Sequence, residues 1–312
     1  MVAIHRIFET GAGKHINVIF FHGLDGDSHE TWGAKAKGAT DEHFWPAWLE
    51  RDIDGLSVHS VSYCAHILKI EGSSQHFFLE TDEIYKRLIK MPELQDGSLY
   101  LVGHSLGGLV IKQLIRKAEG EALVHRREAK QFLKRVEKIV FLATPHLGAD
   151  LAAWADCIPG FRELQSETAD DLDRGNPHLR ELYHWYCNWA KSRKIHHLAM
   201  YETKPYHIAD IFQTHDVGAV RKVYVRAIYK LFGKIGVEIV DKASANPGIE
   251  PELCHFVAAK NCNHFEIAKP KSVESAVYKS VCEFLKSPAQ SVRPRTAAQA
   301  PTGAIELALA PA

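Results

Sequence analysis

The segment that most constrains this chain is the one around residue 105. An apolar run, Leu99-Tyr100-Leu101-Val102, meets Gly103-His104-Ser105-Leu106-Gly107-Gly108 and passes at once into a helical pattern. Leu106, Leu109, Val110, Leu114 and Ile115 recur at helix spacing, so almost no residues remain for the turn between strand and helix. A turn this tight forces its central residue into strained backbone geometry, and flanking glycines relieve the clashes. Ser105 is then presented at the carboxyl end of a strand, beside a helix N-terminus whose free N–H groups favour negative charge. A GxSxG pentapeptide is common by chance, but the strand before it and the helix after it argue against chance here. Ser105 is the candidate nucleophile.

The rest of the chain repeats the same alternation of strand and helix. Ile16–Phe21, Leu56–Tyr63, Leu99–Val102, Val136–Leu142 and Ile195–Met200 are short apolar runs of the kind covered on both faces. Val237–Val240 is a shorter sixth strand and Phe256–Ala259 a weaker seventh. Ile84, Leu88 and Ile89 mark one helix between strands, and Val273, Val277, Val281 and Leu285 stripe a closing helix. The pattern predicts an α/β chain with a mostly parallel central sheet and helices on both faces. Leu151–Arg193 fits no strand and is predicted to be a helical cap or lid insertion. Within it Leu179, Leu182, Tyr183, Tyr186, Trp189 and Ala190 share one helix face, which suits either core packing or an acyl pocket. At 312 residues, 46% apolar and 24% charged, residues 1–286 are read as one domain. Ala, Pro, Gln and Ser dominate 287–312, read as a disordered tail.

Charge and composition narrow the function. Lys and Arg total 38, as do Asp and Glu. A net charge of zero argues against nucleic acid as partner, since such affinity comes from many neutralised phosphates. No run approaches the 18 or so apolar residues of a membrane-spanning helix, which leaves peripheral membrane contact open. The first residues lack a secretory pattern, and 6 scattered cysteines do not make a disulfide framework. A cytoplasmic location is expected.

A serine hydroxyl needs a base, and a base needs an orienting acid. On such a sheet the chain order is Ser, acid, His, with one oxyanion N–H following the nucleophile and another from an early strand–helix loop. That assigns the two N–H groups to Leu106 and Leu24, the latter in Phe20-Phe21-His22-Gly23-Leu24. Of the 19 histidines, His264, in Asn261-Cys262-Asn263-His264-Phe265, lies after the last strand and before the closing helix. His207 and His215 come too early, and His255 adjoins a strand. For the acid, Glu202 follows the strand Ile195–Met200 and Asp241 follows Val237–Val240. Position alone leaves both standing.

With those residues in place, the chain resembles the α/β-hydrolase lipases and esterases grouped with serine active site-containing protein 1, relatives of GPI inositol-deacylase-like serine hydrolases. The matching pieces run in order over about 15–285. They are Phe21-His22-Gly23-Leu24 with Thr31-Trp32, Phe44-Trp45-Pro46-Ala47-Trp48-Leu49, and Gly103–Val110. Further on come Ala143-Thr144-Pro145-His146-Leu147-Gly148, Glu202-Thr203-Lys204-Pro205, Ser244-Ala245 and Asn263–Pro270. The resemblance implies an α/β-hydrolase fold and a Ser105–His264–Glu202 triad, with Asp241 as the alternative acid. It implies hydrolysis of acyl or lipid-like esters without metal or cofactor. A thioesterase or acyltransferase would use the same triad, and a non-catalytic binding module the same fold. His22, His104, His146 and Trp154 are assigned to the substrate pocket.

Three other signals carry less. Gly11-Ala12-Gly13-Lys14 has no strand before it and His15 where a phosphate loop needs Ser or Thr, so it is read as a turn. His196-His197 and Cys254, His255, Cys262 and His264 lack paired zinc-ligand spacing. Arg126, Arg127, Lys130, Lys134 and Arg135 are interrupted by Glu128 and read as a solvated helix face.

Overall fold

The computed structural model describes residues 2–9, 15–24, 26–33, 44–63, 75–149, 174, 176–207 and 236–288. Its centre is a seven-stranded sheet ordered β1-β3-β2-β4-β5-β6-β9. The strands are β1 (Ala3–Glu9), β2 (Ile16–Phe21), β3 (Leu56–Ser62), β4 (Ser98–His104), β5 (Val136–Leu142), β6 (His196–Glu202) and β9 (Cys254–Ala259). All neighbours pair in parallel except β1, which runs antiparallel to β3. A separate two-stranded ladder joins β7 (Tyr206–His207) to β8 (Gly236–Val237). The helices are α1 (Trp45–Asp52), α2 (Gln75–Leu88), α3 (Leu106–Leu123), α4 (Arg127–Arg135), α5 (Pro177–Arg193) and α6 (Ala276–Lys286).

The unbroken apolar runs follow from burial on both faces. In β2, Ile19 and Phe21 join Leu101, Ile139 and Phe141 in a core covered by α2, α3, α4 and α5. Val18 and Phe20 point the other way, with Tyr100, Val102 and Leu142, into a core covered by α1 and α6. Alternate side chains thus serve opposite cores, both mostly apolar. Lys138 is a charged residue among them with partners of its own. It is buried in β5, where its Nζ donates to the carbonyls of Phe284 (2.7 Å) and Leu285 (2.9 Å) at the end of α6. Those carbonyls have no partner within the helix itself.

The chain steps from β2 to β3 on one side and then to β4 on the other. That reversal opens a crevice at the carboxyl ends of β2 and β4, where open α/β sheets bind ligands. Phe21 pairs with Gly103 at that point, so His22-Gly23 and Ser105 emerge side by side.

Several expectations change. Val237–Val240 is not a strand of the main sheet: only Gly236–Val237 is extended, in the small ladder. Val240 instead donates its N–H to a Glu202 carboxylate oxygen. Phe256–Ala259, the weaker candidate, is part of β9, a full edge strand. The edge strand β1 was not predicted at all. Val273 precedes α6 and is 38% exposed, so it does not belong to the closing helix's buried stripe. Of the predicted cap, 151–173 lie outside the described residues. Its last part, α5, connects parallel neighbours β5 and β6 and buries Leu179, Leu182, Tyr186, Trp189 and Ala190. In the tail, 289–312 also lie outside the described residues.

Candidate active site

The serine turn has the geometry its sequence implies. Ser105 takes φ 53° and ψ −125°, a region side chains rarely occupy, immediately before the first residue of α3. Its N–H donates to Leu142 O (2.9 Å), which fixes the turn to β5. Gly107 is required by space: a Cβ there would lie 2.1 Å from the Phe21 carbonyl oxygen. Gly23 is required likewise, since its Cβ would lie 2.9 Å from the Cβ of Ser105 and 3.1 Å from His104 Nδ1. The two sequence motifs are therefore in contact. Leu24 and Leu106 follow the two residues that touch, and the Leu106 N–H is a first-turn amide that the helix cannot pair. Ser105 Oγ is buried and has no hydrogen-bond partner.

His264 and Glu202 meet at the sheet's carboxyl end. His264 Nδ1 donates to Glu202 Oε2 at 3.1 Å, with both side chains almost fully buried. The other Glu202 oxygen accepts the Val240 N–H at 3.0 Å. A carboxylate that accepts from both sides stays in one orientation, and so does the ring it holds. Asp241 is engaged elsewhere: Oδ1 accepts the N–H groups of Ala243 (2.8 Å) and Ser244 (3.0 Å), and the other oxygen pairs with Arg174.

The loops carrying Glu202 and His264 are stitched together backbone to backbone. The N–H groups of Thr203 and Lys204 both donate to Cys262 O, at 3.0 and 3.1 Å. Thr203 Oγ1 donates to Ala259 O and accepts from Asn261 N. Asn263 Oδ1 accepts the N–H groups of Phe265 (3.0 Å) and Glu266 (2.9 Å), while Glu266 Oε2 accepts the Asn263 N–H (3.1 Å). This is the reciprocal capping arrangement, with Asn in place of Ser or Thr, and it encloses His264. The N-x-x-E spacing before an apolar residue was visible in the sequence and would have flagged it.

Residues 12–157 match the profile of the family described as "Putative serine esterase (DUF676)". The chain has the α/β-hydrolase fold. It is 25% identical over 301 residues to Protein SERAC1 of Danio rerio and 22% identical over 299 residues to Protein SERAC1 of Homo sapiens. Each alignment covers 91% of this chain but 40% of the relative, so the chain spans well under half the length of these proteins. Among solved structures, the mature lipase BlEst2 of Bacillus licheniformis superposes with a TM-score of 0.53 at 15% identity, covering 90% of this chain and 98% of the lipase. The phospholipase PlaB of Legionella pneumophila gives 0.54 at 13% identity, covering 88% of this chain and 60% of that one. Among the described residues, no helix is long and apolar enough to cross a membrane.

The residues assigned to the pocket fall into three situations. His22 is buried, stacked on Tyr63 at 4.1 Å between ring centroids, and its backbone carbonyl accepts the Tyr63 hydroxyl. His146 is buried against the edge of Phe141 (4.7 Å), and burial together with the nearby Lys112 amine holds its pKa well below the usual range. His104 turns toward the His264 loop. Trp154 lies outside the described residues. The sequence reading missed Lys112, which sits on α3, the helix that follows Ser105. Its Nζ is fully buried between the rings of Tyr186 (4.7 Å), Tyr183 (5.3 Å) and Phe141 (5.7 Å), with no hydrogen-bond partner.

Proposed function

We propose that the protein is a serine carboxylic-ester hydrolase acting on acyl or lipid-like esters through an acyl-enzyme, with Ser105, His264 and Glu202 as its triad. One observation carries this reading. A buried His264–Glu202 pair at 3.1 Å stands in the loop that His104, the neighbour of Ser105, grips at 2.8 Å.

In that mechanism Ser105 Oγ attacks the ester carbonyl carbon while His264 Nε2 takes its proton. Glu202, already bonded to Nδ1, stabilises the resulting imidazolium. In a buried site such a charge pair is screened far less than it would be in water. The carbonyl oxygen becomes an oxyanion held by the N–H groups of Leu106 and Leu24, each donor of this kind being worth about 10²–10³ in rate. Collapse passes the His264 proton to the leaving alcohol. Water, deprotonated by His264, then repeats the sequence and frees the carboxylic acid. A lipase and a phospholipase among the structural neighbours accord with an acyl ester as substrate.

Reaction with a fluorophosphonate probe and turnover of p-nitrophenyl esters from acetate to palmitate test the reading. Wild type should label and hydrolyse, and Ser105→Ala should do neither while melting near the wild-type temperature. Loss of rate on the order of 10³–10⁶-fold is expected from triad knockouts elsewhere. A Ser105→Ala variant that keeps a tenth of the wild-type rate overturns it.

A further inference from the structure

Ser105 and His264 lie 159 residues apart in the chain, and each has its own scaffold. The serine is set by β4, α3 and the Leu142 carbonyl. The His264 loop is stitched to the Glu202 turn, and its far end is held by Trp45 Nε1 donating to Ala268 O at 2.9 Å. None of these contacts fixes the distance between the two groups. One hydrogen bond does run directly from the serine turn to the His264 loop: His104 Nε2 to the His264 carbonyl oxygen, at 2.8 Å.

We propose that His104 is a positioning residue, whose Nε2–H holds the His264 main chain at the serine turn while its other edge abuts the Gly23 turn. This rests on the triad reading above and assigns His104 to the machinery rather than to the substrate pocket. The proton assignment follows from the partner. A carbonyl oxygen only accepts, so Nε2 carries the hydrogen. Nδ1 then holds the lone pair of a neutral ring, on the side where a Gly23 Cβ would come within 3.1 Å. One imidazole thus touches all three segments of the site.

Neutrality is part of the design. The His104 and His264 ring centroids are 5.0 Å apart, so a cation at His104 would oppose the imidazolium that His264 becomes. Burial, and next the proximity of His264, hold the His104 pKa well below the usual histidine range. Trp32, edge-on at 6.4 Å, is part of what keeps the ring dry. His264, His22 and Lys269 also act on His104 electrostatically, and each positive form among them disfavours a second charge there.

Two neutral amides of different reach test the assignment in the full-length protein. The amide nitrogen of Gln stands about where Nε2 does and can donate to the same carbonyl. That of Asn stands about where Nδ1 does and cannot. For His104→Asn we expect kcat and the fluorophosphonate inactivation rate to fall about 10²-fold, the scale of a 1 Å misplacement. KM should stay within about threefold, the acid limb of the pH–rate profile should shift, and the amides of residues 261–268 should exchange with deuterium faster. His104→Gln should stay within about tenfold of wild type and protect the loop. If Asn and Gln behave alike in both kinetics and exchange, the proposal is wrong. If wild type neither labels nor hydrolyses, the ester-hydrolase reading fails on its own. Loop exchange then decides the His104 contact: faster in Asn only supports it, unchanged in both overturns it.

Discussion

Replacing Lys112 by methionine should make this protein more stable, by an amount that depends on pH. Lys112 lies in the first three turns of α3, is 0% exposed, and has its amine among three aromatic rings with no acceptor. Burial pushes its pKa down from 10.5 to about 7, against a smaller opposing effect of Cys187. In the unfolded chain the amine stays protonated up to about 10.5. Between the two values the unfolded state therefore binds more protons, and wild-type stability rises as pH rises from about 7 to 10.5. Below pH 7 the folded protein carries the full cost of the buried charge. The interval corresponds to ~5 kcal/mol at 1.36 kcal/mol per pH unit. Cation–π contact with the rings is lost on mutation and subtracts ~1–2 kcal/mol. Methionine matches the length and fills the same space. Lys112→Met should thus gain a few kcal/mol (~3) at pH 6 in guanidinium unfolding, and most of that gain should be gone at pH 9, where wild type has regained about two pH units of linkage. His146, His197 and Cys187, which the Lys112 charge also affects, contribute smaller changes, and groups remote from Lys112 cancel in the difference. A variant that is less stable at both pH values, or whose advantage does not change between them, refutes the argument.

Other substitutions separate the remaining roles. Glu202→Gln should lower kcat about 10⁴-fold by favouring the wrong His264 tautomer. Asp241→Asn keeps the turn's acceptor, loses only an exposed pairing with Arg174 worth under ~1 kcal/mol, and should leave activity nearly intact; the opposite result in parallel esterase assays would hand the acid's role to Asp241. Asn263→Ala removes the acceptor for Phe265 and Glu266 N–H, so the melting curve should show ~1 kcal/mol lost and kcat a several-fold drop. Gly107→Ala drives a methyl into the Phe21 carbonyl; soluble yield and melting temperature should both collapse, and a stable, active variant would show that the turn adjusts.

What the sequence revealed depended on whether a residue's partner was local. β2, β3, β4 and β5 were legible because burial on both faces leaves unbroken apolar runs, and the serine turn because its glycines are contiguous with it. The edge strands were not: β1 leaves His5 and Arg6 exposed, and β9 is only partly buried, so neither shows a run. Glu202 and Asp241 look alike in the sequence, since both follow apolar segments. Their difference is that a Glu202 oxygen meets His264, 62 residues on, while Asp241 spends an oxygen on amides two and three residues away.

Lys112 and His104 show why some roles cannot be read from periodicity. A lysine on a helix is ordinarily turned to the solvent side. Helix α3, however, is buried on every side from Leu106 to Ile115, because α2, α4 and α5 pack around it against the sheet. A stretch covered all round has no polar face to offer, so Lys112, the one cation between Leu106 and Ile115, is carried inside at a cost in stability. His104 sits within the most recognisable motif of the chain, and that motif assigns it nothing. Its partner is a backbone carbonyl, which any residue supplies, so no pattern of side chains could mark the contact. The groups that hold the serine and histidine loops together act through main-chain atoms, and these become visible only once the sheet has brought the two ends of the chain to one edge.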